Sequence, residues 1–255
     1  MSLLNELANK YLSDKGTVRG AQHGYTFTYD HYFNDFREDE VRILEIGLNN
    51  GGPELGSDRL SRVIDSAPSI RMWHDYFPNG DIWGFDINQI EESLKQDMPR
   101  FKFFQGDQGS IKCFQKFKQT VEEQYGTHQI FDIIIDDGSH AFYHQQLAFV
   151  SLTDMLKPGG IYVIEDVHWW PDRRPPSKVY GKYVYAYDQL PPTVNTGELF
   201  KENPTPNRLE FMRNNRPEIF KKYSESIKEY DFRDTNPTGK CNHSKKFILL
   251  QKRAT

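Results

Sequence analysis

Five short apolar segments alternate with amphipathic helical segments along most of the chain, and this alternation restricts the possible folds more than any other feature. Each segment has the length of a β-strand and is bounded by turn residues or charges. The segments are Val41–Ile46, Asp81–Phe85, Phe101–Phe104, Phe131–Ile135 and Gly160–Ile164. The last two are apolar on both faces, which is typical of strands buried in a parallel sheet. Because strands that alternate with helices form βαβ units, the chain is predicted to have an α/β fold.

Apolar residues three or four positions apart predict the helices between these strands. The predicted helices are Ile70–Phe77, Ile111–Val121 and Tyr143–Leu156. Ser69 and Ser110 precede the first two and are the expected N-caps. The Lys-Pro-Gly-Gly sequence at Lys157–Gly160 follows the third helix, and it predicts a helix stop and a turn.

The alternation ends after the fifth strand. Ser226–Phe232 and Lys245–Lys252 predict an antiparallel hairpin that closes one edge of the sheet. Residues 1–40 precede the first strand and are expected to form a helical cap or lid on the main domain, residues 41–255. Two further segments, 53–68 and 169–206, fit no βα unit and are interpreted as insertions. The second is rich in proline and aromatic residues.

The composition indicates a globular protein and argues against several functional classes. The chain has 255 residues, with 32 Lys and Arg against 36 Asp and Glu, so a basic nucleic-acid surface is not expected. The sequence contains no run of about 20 apolar residues, so no membrane span is predicted. Met1–Lys10 lacks the apolar core of a secretory signal. Cys113 and Cys241 are too few for a disulfide framework or a four-cysteine zinc site. We therefore expect a cytoplasmic protein with neither nucleic-acid nor membrane partners.

The residues after the first three strands suit a nucleotide-like ligand. Gly47–Gly52 forms a glycine-rich turn, although Asn49 departs from the dinucleotide-binding pattern G-x-G-x-x-G, and a plain tight turn is the alternative. Glu45 lies two residues before the first glycine. Asp86 ends the second strand, where a carboxylate can accept ribose hydroxyl protons or cap a helix. Asp107 follows the third strand and could accept from an adenine amino group or stabilise a turn.

Acidic residues follow two neighbouring strands. Asp136–His140 has the sequence Asp-Asp-Gly-Ser-His, and Glu165–Asp166 follows about one βαβ step later. At the carboxyl edge of a parallel sheet, Asp137 would lie close to Glu165 and Asp166. Three carboxylates repel unless they share protons or a cation, and carboxylate oxygens favour Mg²⁺. His140 is near enough to act as a general base. Helix capping could explain one such segment, but not two.

The order of these motifs resembles that of class I S-adenosylmethionine-dependent methyltransferases, in particular the metal-dependent macrocin- and mycinamicin-type sugar O-methyltransferases. The resemblance covers roughly Asp14 to Asp166 and the terminal hairpin. It rests on Leu44–Gly47, Asp86, Gly106–Gln108, Ile135–His140, Leu156–Gly160 and Glu165–Asp166. It implies a Rossmann-like sheet of seven strands, the last one antiparallel, flanked by helices.

The resemblance also implies S-adenosylmethionine and Mg²⁺ as cofactors. The residues implied to bind the methionine, ribose and adenine parts of the cofactor are Glu45, Gly47, Asn49, Asp86, Asp107, Gln108 and Asp136. The implied metal ligands are Asp137, Glu165 and Asp166. The implied catalytic residues are His140, which takes the proton from a substrate hydroxyl, and Asp137. The implied partners are a small-molecule acceptor, a glycosylated natural product, and further copies of the chain in a homo-oligomer.

Three alternatives stay open from the sequence. The acceptor could be a catechol or another vicinal diol, which uses the same metal chemistry. Histidine and carboxylates also bind Fe(II), as in iron-dependent oxygenases. A non-catalytic nucleotide-binding module could keep the fold without the chemistry. His168–Trp170 would line a substrate pocket or belong to the core, whereas Cys241–His243 is interpreted as a surface turn.

Overall fold

The computed structural model describes residues 2–18, 24–48, 63–167, 194–201, 203–234 and 247–254. The strands within these ranges are, in chain order, β1 (Arg42–Ile46), β2 (Val63–Ile64), β3 (Asp81–Asp86), β4 (Gln89–Ile90), β5 (Phe101–Gln105), β6 (Phe131–Asp136), β7 (Leu156–Ile164), β8 (Tyr230–Asp234) and β9 (Ile248–Lys252). Seven of them form one sheet, while β2 pairs with β4 in a separate short ribbon.

The central sheet has the strand order β5-β3-β1-β6-β7-β9-β8. Its first five strands are parallel, as the alternation of strands and helices predicts. The last strand, β9, runs antiparallel to both of its neighbours, β7 and β8. The predicted seven-stranded α/β sheet with an antiparallel last strand is therefore confirmed. Because β3, β1, β6 and β7 are parallel neighbours, their carboxyl ends share one edge, which is where ligands bind in open α/β sheets.

Helices cover both faces of the sheet. They are α1 (Leu3–Lys10), α2 (Tyr25–Phe33), α3 (Pro68–Tyr76), α4 (Glu92–Asp97), α5 (Ile111–Tyr125), α6 (Phe142–Leu152), α7 (Thr196–Leu199), α8 (Pro206–Asn215) and α9 (Pro217–Ser226). Helices α1 to α4 pack on one face with Ile133 and Ile135 of β6, and α5 to α9 pack on the other face with Ile134. This packing explains why β6 is apolar on both sides. Each of the described helices is too short or too polar to cross a bilayer.

Some predicted boundaries of helices and turns are wrong. Ser110 caps α5 as predicted, but the N-cap of α3 is Ala67 rather than Ser69, because Pro68 occupies the favoured first helical position. The helix predicted to reach Leu156 ends at Leu152 and is followed by a 3₁₀ turn. Lys157–Gly160 is not a separate turn but a bulge within β7, where pairing with β6 passes from Phe131 and Leu156 to Ile133 and Ile161.

The terminal hairpin is confirmed as an antiparallel pair, but its first strand was predicted to begin too early. Ser226 is the last residue of α9, whose buried face includes Ile219 and Tyr223 at helical spacing, and β8 begins only at Tyr230. Lys245 and the connecting loop lie outside the described residues. Most of the predicted insertion 53–68 lies outside them too, and its end forms β2 and the start of α3.

The end of the predicted insertion 169–206 is part of the core. Residues 168–193 lie outside the described ranges, but Val194, Leu199 and Phe200 are buried against the face that carries α6. Residues 194–201 of this predicted insertion therefore contribute to the packing of the main domain. At the other end of the chain, α1 and α2 pack into the opposite core cluster, so the predicted N-terminal cap contributes to the core. Its motion as a lid stays a prediction.

Replacing Phe149 with alanine is expected to destabilise the fold by about 3–5 kcal/mol, the usual cost of deleting a buried aromatic ring. The Phe149 side chain is fully buried, with ring centroids 4.8 Å from Phe200, 5.2 Å from Tyr162 and 5.5 Å from Tyr230. Urea unfolding measures the change. Phe211→Ala on α8 is the control, because that ring is 37% exposed and should cost less than about 1 kcal/mol. Equal losses in the two variants would contradict this packing.

Candidate functional site

Carboxylates concentrate at the carboxyl edge of the parallel strands. They belong to Glu45 of β1, Asp86 of β3, Asp136 at the end of β6, Asp137 just after it, and Glu165 and Asp166 just after β7. Glu45, Asp136 and Glu165 are fully or almost fully buried. The strand order brings these residues together, as the sequence pattern predicts.

Three side chains at this edge form a group that could hold a metal ion. Asp137, His140 and Asp166 each offer one ligand atom, and these atoms lie within 4.8 Å of one another. The Nε2 atom of His140 is 3.7 Å from Oδ2 of Asp166. Carboxylate oxygens together with one imidazole suit a divalent cation. This group differs from the predicted ligand set because His140 takes the place of Glu165.

Both His140 and Asp166 have left-handed backbone conformations, with φ angles of +58° and +50°. Such angles cost energy for residues other than glycine and tend to occur at functional sites, where the surrounding structure enforces them. One part of that enforcement is visible at Asp166, whose Oδ1 accepts a hydrogen bond of 2.6 Å from the Tyr25 hydroxyl. The backbone strain thus falls on two members of the candidate metal group.

Glu165 faces the N-terminal segment, which comprises residues 1–40 before β1. Its Oε1 atom accepts hydrogen bonds from the Tyr29 hydroxyl and, at 2.8 Å, from the Lys15 ammonium group. Tyr25 and Tyr29 lie one helical turn apart on α2, so one buried helix face contacts both acidic residues that follow β7. Glu165 as a third metal ligand stays a prediction.

Lys15 is a buried cation among these carboxylates. Its side chain is 1% exposed, and Nζ lies 2.5 Å from Oδ2 of Asp137, 2.8 Å from Oε1 of Glu165 and 3.3 Å from Oε1 of Glu45. Burial disfavours the charged form, but the three carboxylates outweigh burial and raise the pKa of Lys15 well above its usual range. One ammonium group therefore links residues at the ends of β1, β6 and β7.

Burial also shifts the acidic groups towards their neutral forms. It raises the pKa of Glu45 to about 7, with Lys15 opposing the shift. It raises the pKa of Asp136 to about 7 against hydrogen bonds from Gly138 and Gln108. Burial and the neighbouring Asp137 raise the pKa of Glu165 well above its usual range. A divalent cation would lower the cost of holding such groups ionised.

The glycine turn after β1 is enforced by a close backbone approach. Gly47 has a φ of +83°, and a Cβ at this position would lie 2.1 Å from the carbonyl oxygen of Asp137. Asp86 stabilises the same region, because its Oδ2 accepts from the amide of Leu48 at 2.8 Å and its Oδ1 from the amide of Asn88 at 2.7 Å. The turn and the acidic loop after β6 are thus in direct contact.

Gln108 connects the loops after β5 and β6. Its amide nitrogen donates to Oδ1 of Asp136 at 2.7 Å, and its Oε1 accepts from the amide of Ser139 at 2.9 Å. Asp107 is exposed, and its Oδ1 accepts from the amide of Gly109 at 2.7 Å. This hydrogen bond stabilises a turn, which is the alternative role that the sequence suggests for Asp107. These contacts leave the predicted adenine-binding role of Asp107 untested.

The sequence interpretation missed Lys15, and for Tyr25 and Tyr29 it left open a lid over the site or aromatic packing without predicting their hydrogen bonds to Asp166 and Glu165. The spacing of the tyrosines predicts only that they share a helix face, and nothing in the sequence around Lys15 distinguishes it from a solvated lysine. Asn49, His168–Trp170 and Cys241–His243 lie outside the described residues, so their predicted roles were not tested.

Sequence comparison identifies relatives among the O-methyltransferases. No protein-family model matches the chain. It is 38% identical over 173 residues to a mycinamicin VI 2''-O-methyltransferase from Micromonospora griseorubida, which is 66% of this chain and 37% of that protein. It is also 38% identical over 173 residues to a demethylmacrocin O-methyltransferase from Streptomyces fradiae, covering 66% of this chain and 38% of that one. The matched region therefore covers less than half the length of these relatives.

A structural neighbour supports the same relationship. The MycE methyltransferase from the mycinamycin biosynthetic pathway has been solved in complex with Mg, SAH and mycinamycin VI. It matches 98% of this chain with a TM-score of 0.59 and 25% sequence identity, and the match covers 54% of that protein. The strand order and these matches together show that the chain has the fold of a class I methyltransferase and is similar in sequence to the macrocin- and mycinamicin-type O-methyltransferases.

Proposed function

We propose that the chain is an S-adenosylmethionine- and Mg²⁺-dependent O-methyltransferase that methylates a hydroxyl group, on a sugar of a glycosylated small molecule, with His140 as the general base. The observation that carries the proposal is the group formed by Asp137, His140 and Asp166 at the carboxyl edge of the sheet. Relatives that are O-methyltransferases, and a neighbour bound to Mg and SAH, support the same chemistry.

The residues at the edge fit a magnesium ion. Asp137 and Asp166 supply hard oxygen donors, and Glu165 is a third carboxylate beside them. We assign Asp137, Glu165 and Asp166 as the ligands. When bound, Mg²⁺ supplies Lewis-acid chemistry that makes an acceptor hydroxyl easier to deprotonate and orients it.

His140 is placed to remove the proton from that hydroxyl. Its imidazole is 16% exposed, so it can reach a bound acceptor, and its Nε2 lies 3.7 Å from the Asp166 carboxylate. That carboxylate would favour the imidazolium that forms when the proton arrives. Holding the acceptor oxygen in line with the sulfonium methyl group, which is already electrophilic, is the other task of the site.

The cofactor is assigned to the ends of β1, β3 and β5. In this assignment Asp86 accepts from the ribose hydroxyls, and Asp107 accepts from the adenine amino group. Gln108, through its hydrogen bond to Asp136, fixes the loops after β5 and β6. Glu45, Gly47 and Asn49 border the methionine part. The insertion 169–206, which follows Glu165 and Asp166 in the chain, is proposed to shape the acceptor pocket, and assembly into a homo-oligomer stays a prediction.

The alternatives are less well supported. An iron-dependent oxygenase of the common type uses two histidines and one carboxylate. The group at this edge has one histidine and two carboxylates, and the relatives are methyltransferases. A catechol or another vicinal diol is the alternative acceptor class, and an acceptor screen distinguishes it from a sugar hydroxyl.

Calorimetric titration of the EDTA-treated protein is the test of the cofactor assignment. We expect micromolar binding of S-adenosylmethionine, and of S-adenosylhomocysteine with Mg²⁺. Asp86→Asn should weaken both at least about tenfold, because the isosteric amide accepts ribose hydroxyl protons with one oxygen in place of two.

Asp81→Asn is the matched control, because Asp81 begins β3 at the opposite edge of the sheet while Asp86 ends it. If this control binds normally and circular dichroism shows that both variants are folded, the weaker binding by Asp86→Asn results from a change at the ligand site. If the wild-type protein binds neither compound, the methyltransferase proposal is wrong.

A further inference from the structure

The N-terminal segment contributes a positive charge to an edge of the sheet that otherwise holds acidic groups. Lys15 precedes α2, yet its ammonium group lies within 3.3 Å of Glu45, Asp137 and Glu165. These partners follow or belong to three adjacent strands, and Lys15 is 122 and 150 positions away from the last two. No other lysine or arginine among the described residues forms an ion pair with these carboxylates.

The charge of this cluster needs compensation. Glu45, Asp137, Glu165 and Asp166 would carry four negative charges in a mostly buried volume when ionised. Buried charges are costly unless an opposite charge and hydrogen bonds accompany them. Lys15 supplies one positive charge and hydrogen-bonds to Asp137 and Glu165, two of the three proposed metal ligands. Asp166 is instead contacted by Tyr25 and His140.

Lys15 must also affect the affinity for a divalent cation. A positive charge that touches two ligand carboxylates repels an ion bound by the same carboxylates, and this repulsion is strong where water is excluded. The same charge holds the carboxylates close together when the ion is away. Opposite effects therefore follow from one contact: the metal-free cluster becomes more stable, and the bound ion is held less tightly.

We propose that Lys15 is a positioning residue of the metal site, which keeps the acidic cluster assembled without the ion and weakens its affinity for Mg²⁺ so that the ion can exchange. This inference rests on the proposed function, because it assumes that Asp137, Glu165 and Asp166 bind the metal. It assigns to the N-terminal segment a role in metal affinity rather than in covering the substrate alone.

The test compares Mg²⁺ binding by calorimetry, and the melting temperature with and without Mg²⁺, in EDTA-treated variants of the 255-residue chain. Lys15→Met removes the charge and keeps the length of the side chain. It should lower the melting temperature of the metal-free protein, bind Mg²⁺ at least about tenfold more tightly, and gain more from added Mg²⁺ than the wild type does. Lys15→Arg keeps the charge and should bind Mg²⁺ within about threefold of the wild type.

Lys10→Met is the matched control. Lys10 belongs to the same N-terminal segment and pairs with Asp75 at 2.9 Å, but its side chain is 58% exposed. Its loss should leave Mg²⁺ affinity unchanged. If Lys15→Met and Lys10→Met have the same affinity and the same Mg²⁺-induced shift as the wild type, or if Lys15→Met binds Mg²⁺ more weakly, the inference is overturned.

A second pair of variants covers the case in which Lys15→Met does not fold. Lys15→Met with Glu45→Gln removes one positive and one negative charge, and Glu45 is not among the proposed metal ligands. The double variant should fold and bind Mg²⁺ within about threefold of the wild type, whereas Glu45→Gln alone should bind it more weakly. Equal affinities in the single and double variants would contradict the proposal. If the wild-type protein does not bind Mg²⁺, the proposed function is overturned together with this inference. If it binds Mg²⁺ but the Lys15 variants do not differ as described, only this inference is overturned.

Discussion

His140→Asn is expected to lower the rate of methyl transfer by about 10²–10⁴-fold, the usual contribution of a general base. Asparagine is the substitution of choice because His140 has a φ of +58°, a conformation that asparagine tolerates better than alanine does. The measurement is transfer of a labelled methyl group to the first acceptor found by screening glycosylated natural products. Binding of S-adenosylhomocysteine should be unchanged, because the imidazole acts on the acceptor rather than on the cofactor.

His128→Asn provides the control for this experiment. His128 lies just before β6 and His140 just after it, so the two histidines are at opposite edges of the sheet. The control should keep the wild-type rate. Asp137→Asn tests the metal side of the same proposal and should also lose activity. If His140→Asn and Asp137→Asn both keep near-normal rates, the proposed site is not the place of the reaction.

Gly47→Ala is expected to cost about 2–5 kcal/mol of folding free energy, from overpacking and from a left-handed backbone together. The added Cβ would lie 2.1 Å from the carbonyl oxygen and 2.7 Å from the carbonyl carbon of Asp137. Both atoms belong to the backbone, so no change of rotamer can relieve the contact. The loop that carries Asp137 must move, and we expect cofactor and Mg²⁺ binding to fall together with the melting temperature.

Gly126→Ala separates the two causes. Gly126 has a similar φ of +74°, but a Cβ there would meet no atom within 4 Å. This variant should therefore show only the backbone penalty, about 1–2 kcal/mol, and normal ligand binding. If both alanine variants lose the same stability, the contact between Gly47 and Asp137 contributes nothing measurable.

The sequence predicts most of the architecture because local patterns determine it. Apolar strands, helical spacing and Ser110 as a cap all depend on residues close together in the chain, and the structure confirms them. The errors arise where a local signal has two outcomes. Lys157–Gly160 reads as a turn, yet the pairing between β6 and β7 converts it into a bulge.

The candidate site is less predictable because it depends on distant contacts. The acidic residues could be placed at one edge, since each lies at the end of a strand or just after one. Lys15 could not, because its contacts with Asp137 and Glu165 span 122 and 150 positions and leave no periodic trace in the sequence. The same holds for the close approach of Gly47 to the backbone of Asp137, which adds to the requirement for glycine that its left-handed backbone imposes.

The position of β9 has a consequence for how the protein is made. β9 lies between β7 and β8 in the sheet, although both of those strands precede it in the chain. The edge of β7 therefore has no partner until Ile248, 84 positions beyond Ile164, has left the ribosome. At about 5–20 residues per second, synthesis leaves this edge open for roughly 4–17 s. During that interval the nascent chain exposes a template for wrong pairing, so slowed translation should increase its need for chaperones.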